Sequence, residues 1–235
     1  MARRMIVRMR TLAKWHIWLG WLVGVPIVMW LATGLLMVSR PIEEVRGSHM
    51  QRDGAAPPLV MPGSIIATEG ANLKEMRVIM QDGRAVAVLT DMDGHISRVD
   101  MTSGARIPSL DAAAARALVA ERIVGGDKAE SVTLFPADRT PFDFRRPLAV
   151  WQVALEDGTN IYVGRDTGEI EAVRTRWWRA FDLAWGLHIM DLSEREDTSH
   201  PVLILFAALS LTGAVIGCVL MFRRRRARPT AAPGA

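Results

Sequence analysis

The chain has 235 residues, of which 50% are hydrophobic, a formal net charge of +4 and a single cysteine. One cysteine excludes a disulfide framework within the chain, so an exported part must be stabilised by its own core. Five positive charges lie in residues 1–14 and five in residues 223–235, with no acid in either stretch. The basic character therefore belongs to the two ends and does not indicate nucleic-acid binding.

Two uncharged apolar runs predict transmembrane helices, at residues 15–38 and 200–222. Each is long enough to cross the hydrocarbon core of a bilayer, and neither has the polar stripe of a helix in a soluble domain. The first run is longer than the core of a signal peptide, and no small-x-small cleavage site follows it. We interpret it as an uncleaved anchor in the lipid bilayer.

The charges at the two ends predict the topology. By the positive-inside rule, the basic tails 1–14 and 223–235 lie in the cytoplasm. Because the number of spans is even, everything between them then lies on the other side of the membrane.

The central region is predicted to consist of a linker over 39–63, rich in proline and glycine, and an α+β domain over 64–175. Asp-Gly turns at 82–83 and 157–158 predict β-hairpins, and an alanine-rich segment with Ser109 as N-cap predicts a helix ending at 125–126. A weak internal repeat suggests two related units that share an antiparallel sheet.

Residues 176–199 are predicted to form an interfacial amphipathic helix followed by a loop. Arg179 and Asp182 lie on the far side of this helix. The aromatic and apolar side chains at helical spacing share the opposite face: Trp177, Phe181, Trp185, His188 and Leu192.

His16 is the first candidate binding residue, and it leaves two interpretations open. It shares a helix face with Gly20 and Gly24, at the same depth as the Gly213–Gly217 pair of the second span. These glycines permit close packing of helices or of subunits. They also leave room for a flat macrocycle, with His16 as an axial haem ligand; otherwise His16 reaches the lipid headgroups.

His188 and His200 are further candidates. A histidine in an aromatic patch reaches either for headgroups or for a bound group, whereas His200, directly before Pro201, suits a helix entry at the interface. His95 has no ligand partner in the sequence pattern, and Asp91–Gly94 predicts a turn. No metal site and no catalytic residue is therefore predicted.

The order of these segments resembles the PepSY family with its associated transmembrane helices. The alanine-rich helix precedes the strands VWQVALEDG and IYVGRDTGEI, as in that domain. The motifs that carry the resemblance in the spans are His16-Ile17-Trp18-Leu19-Gly20, Thr33-Gly34, Leu187-His188-Ile189-Met190-Asp191-Leu192 and Thr212-Gly213.

The resemblance implies a bacterial inner-membrane protein with a periplasmic α+β domain. Larger relatives are linked to iron uptake, as haem-bearing reductases of ferric siderophores, which would make His16, His188 and His200 candidate ligands of haem b. Those relatives have four spans and this chain has two, which implies a homo-oligomer or other membrane subunits. The alternative is a non-catalytic, membrane-tethered binding or regulatory module, because the sequence has no hydrolase or nucleotide-binding motif.

Overall fold

A computed structural model describes residues 2–52, 58–60 and 72–226. The remainder of the predicted linker, the first residues of the predicted domain and most of the C-terminal tail lie outside the described residues. The chain divides into two compact units. The helical unit comprises residues 1–40 and 180–235, and the sheet unit comprises residues 41–179.

The helical unit contains two long apolar helices, as predicted. They are α1 (Ala2–Val38) and α5 (Pro201–Arg226), and each contains a stretch long and apolar enough to cross a membrane, Met9–Val38 and Pro201–Phe222. Helix α1 begins within the predicted basic tail. Large apolar side chains point away from the protein along both helices; Trp21 is 83% exposed.

Helices α1 and α5 pack against each other in antiparallel directions. The backbone of α5 at Gly213 approaches Leu19 of α1, and Gly217, one turn further on, approaches His16. Val23 of α1 is buried at this face. A third helix, α4 (Arg176–Ile189), contains the boundary between the two units.

The described residues of the sheet unit form two separate four-stranded antiparallel sheets, whereas a single shared sheet was predicted. In each sheet, strands adjacent in sequence are also adjacent in space. Short turns join most of them, and one longer connection, residues 136–149, joins the first two strands of the second sheet. Helix α3 occupies the connection between the sheets. The strands of sheet one are β1 (Leu73–Gln81), β2 (Arg84–Asp91), β3 (Ile96–Asp100) and β4 (Arg106–Ile107). Those of sheet two are β5 (Ala129–Phe135), β6 (Val150–Leu155), β7 (Asn160–Gly164) and β8 (Ile170–Arg174).

The predicted hairpins are confirmed. Asp82 and Gly83 both have positive φ, 49° and 74°, which is the backbone of a type I′ turn between β1 and β2. The right-handed twist of that turn matches the strands that it joins. The strands at 150–155 and 160–164 pair across the second Asp-Gly turn.

Helix α3 (Ala112–Arg122) is confirmed, but its N-cap is Asp111 and not Ser109. The Asp111 carboxylate accepts the N–H of Ala114 at 2.8 Å, whereas the Ser109 hydroxyl donates to Asp166. The helix packs on sheet two and forms the main core. The fully or nearly buried residues of that core are Ala115, Val119, Ile123, Val153, Leu155, Ile161, Val163 and Val173.

The first part of the predicted linker is folded and belongs to the sheet unit. It forms α2 (Ile42–Arg46) and a 3-10 turn (Ser48–Met50), and Val45 is only 1% exposed. Gly47, between them, has φ of 72° and lies against Val173, so a side chain there would collide. Proline and glycine in this stretch therefore mark tight turns packed on the core.

Candidate functional site: two histidine contacts

His16 contacts the backbone of the facing helix. Its Nδ1 lies 3.1 Å from the carbonyl oxygen of Gly213. A carbonyl oxygen can only accept a hydrogen bond, so Nδ1 carries the proton. In neutral imidazole this leaves the lone pair on Nε2, the arrangement that metal-binding histidines use.

Gly217 makes this contact possible. A Cβ at this position would lie 2.9 Å from Cε1 of the His16 ring. That is shorter than a side chain tolerates, so any other residue would displace the ring. Gly213 is less critical, because a Cβ there would meet Leu19 at 3.8 Å, an ordinary contact.

His188, near the end of α4, lies against α1. Its Nδ1 is 3.0 Å from Oγ1 of Thr33, and that hydroxyl donates its single proton to the carbonyl of Met29 at 2.8 Å. With its proton in its own helix, the hydroxyl is free to accept from the His188 ring, and we assign the ring proton to Nδ1 and the lone pair to Nε2 on this basis. The Trp30 indole donates to the His188 carbonyl at 2.8 Å, and the ring lies beside Gly34.

The loop after α4 is held by Asp191, which is 5% exposed. Its carboxylate accepts the Ser193 hydroxyl and the backbone N–H groups of residues 193, 194, 196 and 197. Desolvation acts to raise the pKa of Asp191, but these hydrogen bonds outweigh it and hold that pKa well below its usual range. The ionised carboxylate thus orders the chain directly after His188.

A buried ion pair fixes the same loop to α4. The Arg195 guanidinium donates to the Asp182 carboxylate, which is 6% exposed. The Trp185 indole donates to the Arg195 carbonyl at 3.0 Å, and Gly186 leaves room for the Arg195 side chain. The predicted position of Asp182 on the far, polar side of an interfacial helix is therefore wrong. Leu192 also lies beyond the end of that helix, in the loop.

His200 is the residue directly before α5. Its Nδ1 is buried and has no hydrogen-bond partner among the described residues. Its carbonyl accepts the N–H of Ile204 at 3.2 Å, in the first turn of the helix. A buried imidazole nitrogen without a partner is a costly feature, which a bound group would relieve.

His16 and His188 are two separate sites. Thr33, which contacts His188, lies about 25 Å further along α1 than His16 at the helical rise per residue. One iron atom cannot bind both rings of the same chain. Gly20 and Gly24 are predicted to share the face of His16, and a Cβ added at either one would meet no atom of another described element within 4 Å. Of the two glycine pairs, the one on α5 receives α1, and the one on α1 stays open.

His95 has acidic neighbours that the sequence prediction missed. It precedes β3, and its ligand atoms and those of Asp91 and Asp93 lie within 4.8 Å of one another. Asp91 accepts the backbone N–H groups of Asp93 and His95, which accounts for the cluster as a turn.

Several residues of these contacts were not predicted as site residues. Thr33 and Asp191 entered the sequence analysis only as members of the family motifs. Trp30, and Arg195 in its polar loop, were not singled out at all. The available signal was the spacing of Trp30, Thr33 and Gly34 at i, i+3 and i+4. This spacing puts the indole donor, the hydroxyl and the space left by glycine on one face of the helix.

No protein-family model, no curated protein and no solved structure matches this chain. The functional assignment therefore depends on the residues, their geometry and the motif resemblance given above.

Proposed function

We propose that the chain is a bacterial inner-membrane protein with two spanning helices, both termini in the cytoplasm and the sheet unit in the periplasm. The length and apolar surface of α1 and α5 support the spans. The positive charge beyond each apolar stretch supports the orientation. The resemblance of the motifs to PepSY proteins supports the compartment.

Within this membrane protein, His16 and His188 hold haem b. The observation that carries the proposal is that Nδ1 of each ring lies within hydrogen-bond distance of a fixed oxygen. An Nδ1–H donor at each contact keeps the Nε2 lone pair for a metal. Such a second hydrogen bond is the usual partner of a metal-bound imidazole. A haem held by histidine supplies one-electron transfer, and the chain contributes the position and the tautomer of its ligands.

The separation of the two histidines requires further ligands. His200, with its unsatisfied buried nitrogen, is the candidate in the same chain. A second copy of the chain is the other source, and the open Gly20–Gly24 surface of α1 allows a neighbour to approach closely. We therefore propose a homo-oligomer, or an assembly with other membrane subunits, that carries electrons to an iron-uptake reaction. The link with iron and siderophores rests on the family resemblance.

The test is the absorption spectrum of the full chain, purified from cells supplied with haem, oxidised and then reduced with dithionite. We expect a Soret band and sharp reduced bands. His16→Ala and His188→Ala should each lower the haem content per chain, and the double variant should abolish it. His95→Ala, in an exposed turn of the sheet unit, is the matched control and should leave the spectrum unchanged.

A spectrum without haem bands from folded protein would overturn this proposal. Equal haem content in the wild type and the double variant would do the same, because the bound haem would then lie elsewhere.

The second candidate function is a non-catalytic, membrane-tethered binding module. It is favoured by one observation, a cavity of about 500 Å³ within the sheet unit. This volume is in the range of small-molecule sites. The two functions are compatible, since the cavity and the histidines belong to different units.

A further inference from the structure

The cavity in the sheet unit has three main walls. The end of β1 and the turn after it form one wall, α3 forms a second, and the turn between β7 and β8 forms a third. Its apolar lining includes Met80, Leu110, Leu118 and Ile170. Polar and charged side chains complete the lining, so the cavity suits a ligand with an apolar body and a polar end.

Arg98, from β3, is the buried charge in this lining. Its residue is only 5% exposed. Nη1 donates to Gln81 at 3.0 Å and Nη2 to the carbonyl of Pro108 at 2.6 Å, so both bonds go to neutral oxygens. The Nε atom is buried and has no hydrogen-bond partner among the described residues.

The guanidinium of Arg98 thus has no ion-pair partner within the part of the chain that the structure describes. Asp166 and Asp82 act on it only from a distance, and burial lowers its pKa despite them. Buried charges in proteins are normally paired, because an unpaired one carries a large desolvation penalty. A carboxylate with its planar pair of oxygens is the geometric complement of a guanidinium.

We propose that this cavity binds a small organic monocarboxylate with an apolar body, and that Arg98 holds the carboxylate. The apolar lining residues account for the apolar body of the ligand, and Arg98 accounts for its carboxylate. Three acids also line the cavity, namely Asp82, Glu121 and Glu169. Arg77 donates to Glu169 and Arg122 lies 3.3 Å from Glu121, so these two acids are compensated. Arg98 is then the cation left for the ligand, and with Asp82 nearby it suits one carboxylate rather than several anionic groups.

Arg98 also has a structural role that the test must separate from binding. The side chain passes over Gly168, where a Cβ would lie 2.2 Å from Nη1, and the neighbouring Gln81 donates to the carbonyl of Thr167 at 2.8 Å. Through these contacts Arg98 helps to join sheet one to sheet two. Loss of the arginine therefore lowers stability as well as any affinity.

The experiment is a ligand-observed NMR titration of the full chain in lipid nanodiscs. The probes are hexanoate and N-acetyl-leucine, each compared with its neutral amide. We expect at least one carboxylate to bind, and its amide to bind at least about tenfold more weakly, as for loss of a charge-assisted hydrogen bond. Hexanoate alone indicates a simple fatty-acid-like ligand, and N-acetyl-leucine alone indicates a peptide-like one.

Two variants locate the site. Arg98→Lys keeps the charge without the fork and should weaken binding, and Ala117→Trp should block the cavity from the exposed side of α3 without touching Arg98. Ala113→Trp, on the same helix but outside the lining, is the matched control and should bind as the wild type does. The proposal is overturned if no carboxylate binds, if the amides bind equally well, or if both tryptophan variants behave alike. None of these outcomes depends on haem.

Discussion

The two histidine contacts of the helical unit reach the same chemical result by different means. The His16 ring donates to a backbone carbonyl of a neighbouring helix, so its position depends on how closely α1 and α5 pack. The His188 ring donates to a side chain, and the loop that follows it depends on Asp191 and on the Asp182–Arg195 pair. A backbone acceptor is lost only if the helices move apart. A side-chain acceptor is lost by single substitutions at several positions.

The largest effect is expected where the loop after His188 is broken. Asp182→Ala leaves the Arg195 guanidinium buried without its carboxylate, which should cost about 3–5 kcal/mol in the free energy of unfolding. Denaturant titration of the full chain in mixed micelles measures this cost. The double variant Asp182→Leu with Arg195→Met removes both charges and should be clearly less destabilised. A double variant at least as unstable as Asp182→Ala would show that the ion pair does not account for the effect.

The next effect tests the His16 side. Gly217→Ala places a Cβ within 2.9 Å of the His16 ring, and overpacking of this kind costs about 1–3 kcal/mol. Gly213→Ala is the matched control, because its Cβ would meet Leu19 at 3.8 Å. We expect unfolding titrations to show a loss for the first variant and almost none for the second. Equal stability of the two variants would contradict the close contact of His16 with α5.

A smaller effect is expected when the acceptor of His188 alone is removed. Thr33→Val keeps the shape of the side chain and leaves the His188 Nδ1 without its partner, which should cost about 1 kcal/mol. Nitrogen-15 NMR of the imidazole should show that the preference for the Nδ1–H tautomer is lost. Thr212→Val is the control, since that hydroxyl donates within its own helix to Ala208. An unchanged tautomer in Thr33→Val would refute the assignment of the ring proton.

The last prediction concerns the pH dependence of stability, which involves only the loop after His188. The pKa of Asp191 is lower in the folded protein than in the unfolded chain, so its contribution to stability is complete above the unfolded pKa of about 4. That contribution declines as the pH falls further towards the folded value. Asp191→Asn should remove part of the acid-side slope of stability against pH. An identical slope in the variant and the wild type would show that the loop does not depend on the ionised carboxylate.

The sequence predicted most of the secondary structure because local signals determine it. The Asp-Gly turns at 82–83 and 157–158 set the hairpins, and the two apolar runs set the long helices. The sequence did not predict that the strands form two sheets, since the same turns are compatible with either arrangement. It also missed the folded part of the linker, because the proline and glycine of tight, packed turns have the composition of a flexible segment.

The candidate site was predictable only as a set of isolated residues. His16 and His188 were identified as candidate ligands, but their ring partners come from positions more than 150 residues away in the sequence. Asp182 was misplaced because a helical wheel assigns charged residues to solvent and cannot show that Arg195 folds back on it. Arg98 has no local signal at all, since its burial results from the packing of one sheet against the turn of the other.

The hydrogen bond between His16 and Gly213 also sets an order of assembly. The two residues are 197 positions apart, and the acceptor belongs to the last of the described helices. Until α5 packs beside α1, the His16 ring has no Gly213 carbonyl to which it can donate. Both partners of the Thr33–His188 contact, in contrast, precede α5 in the chain. Ordering of the His16 ring is therefore the step that waits for the C-terminal helix.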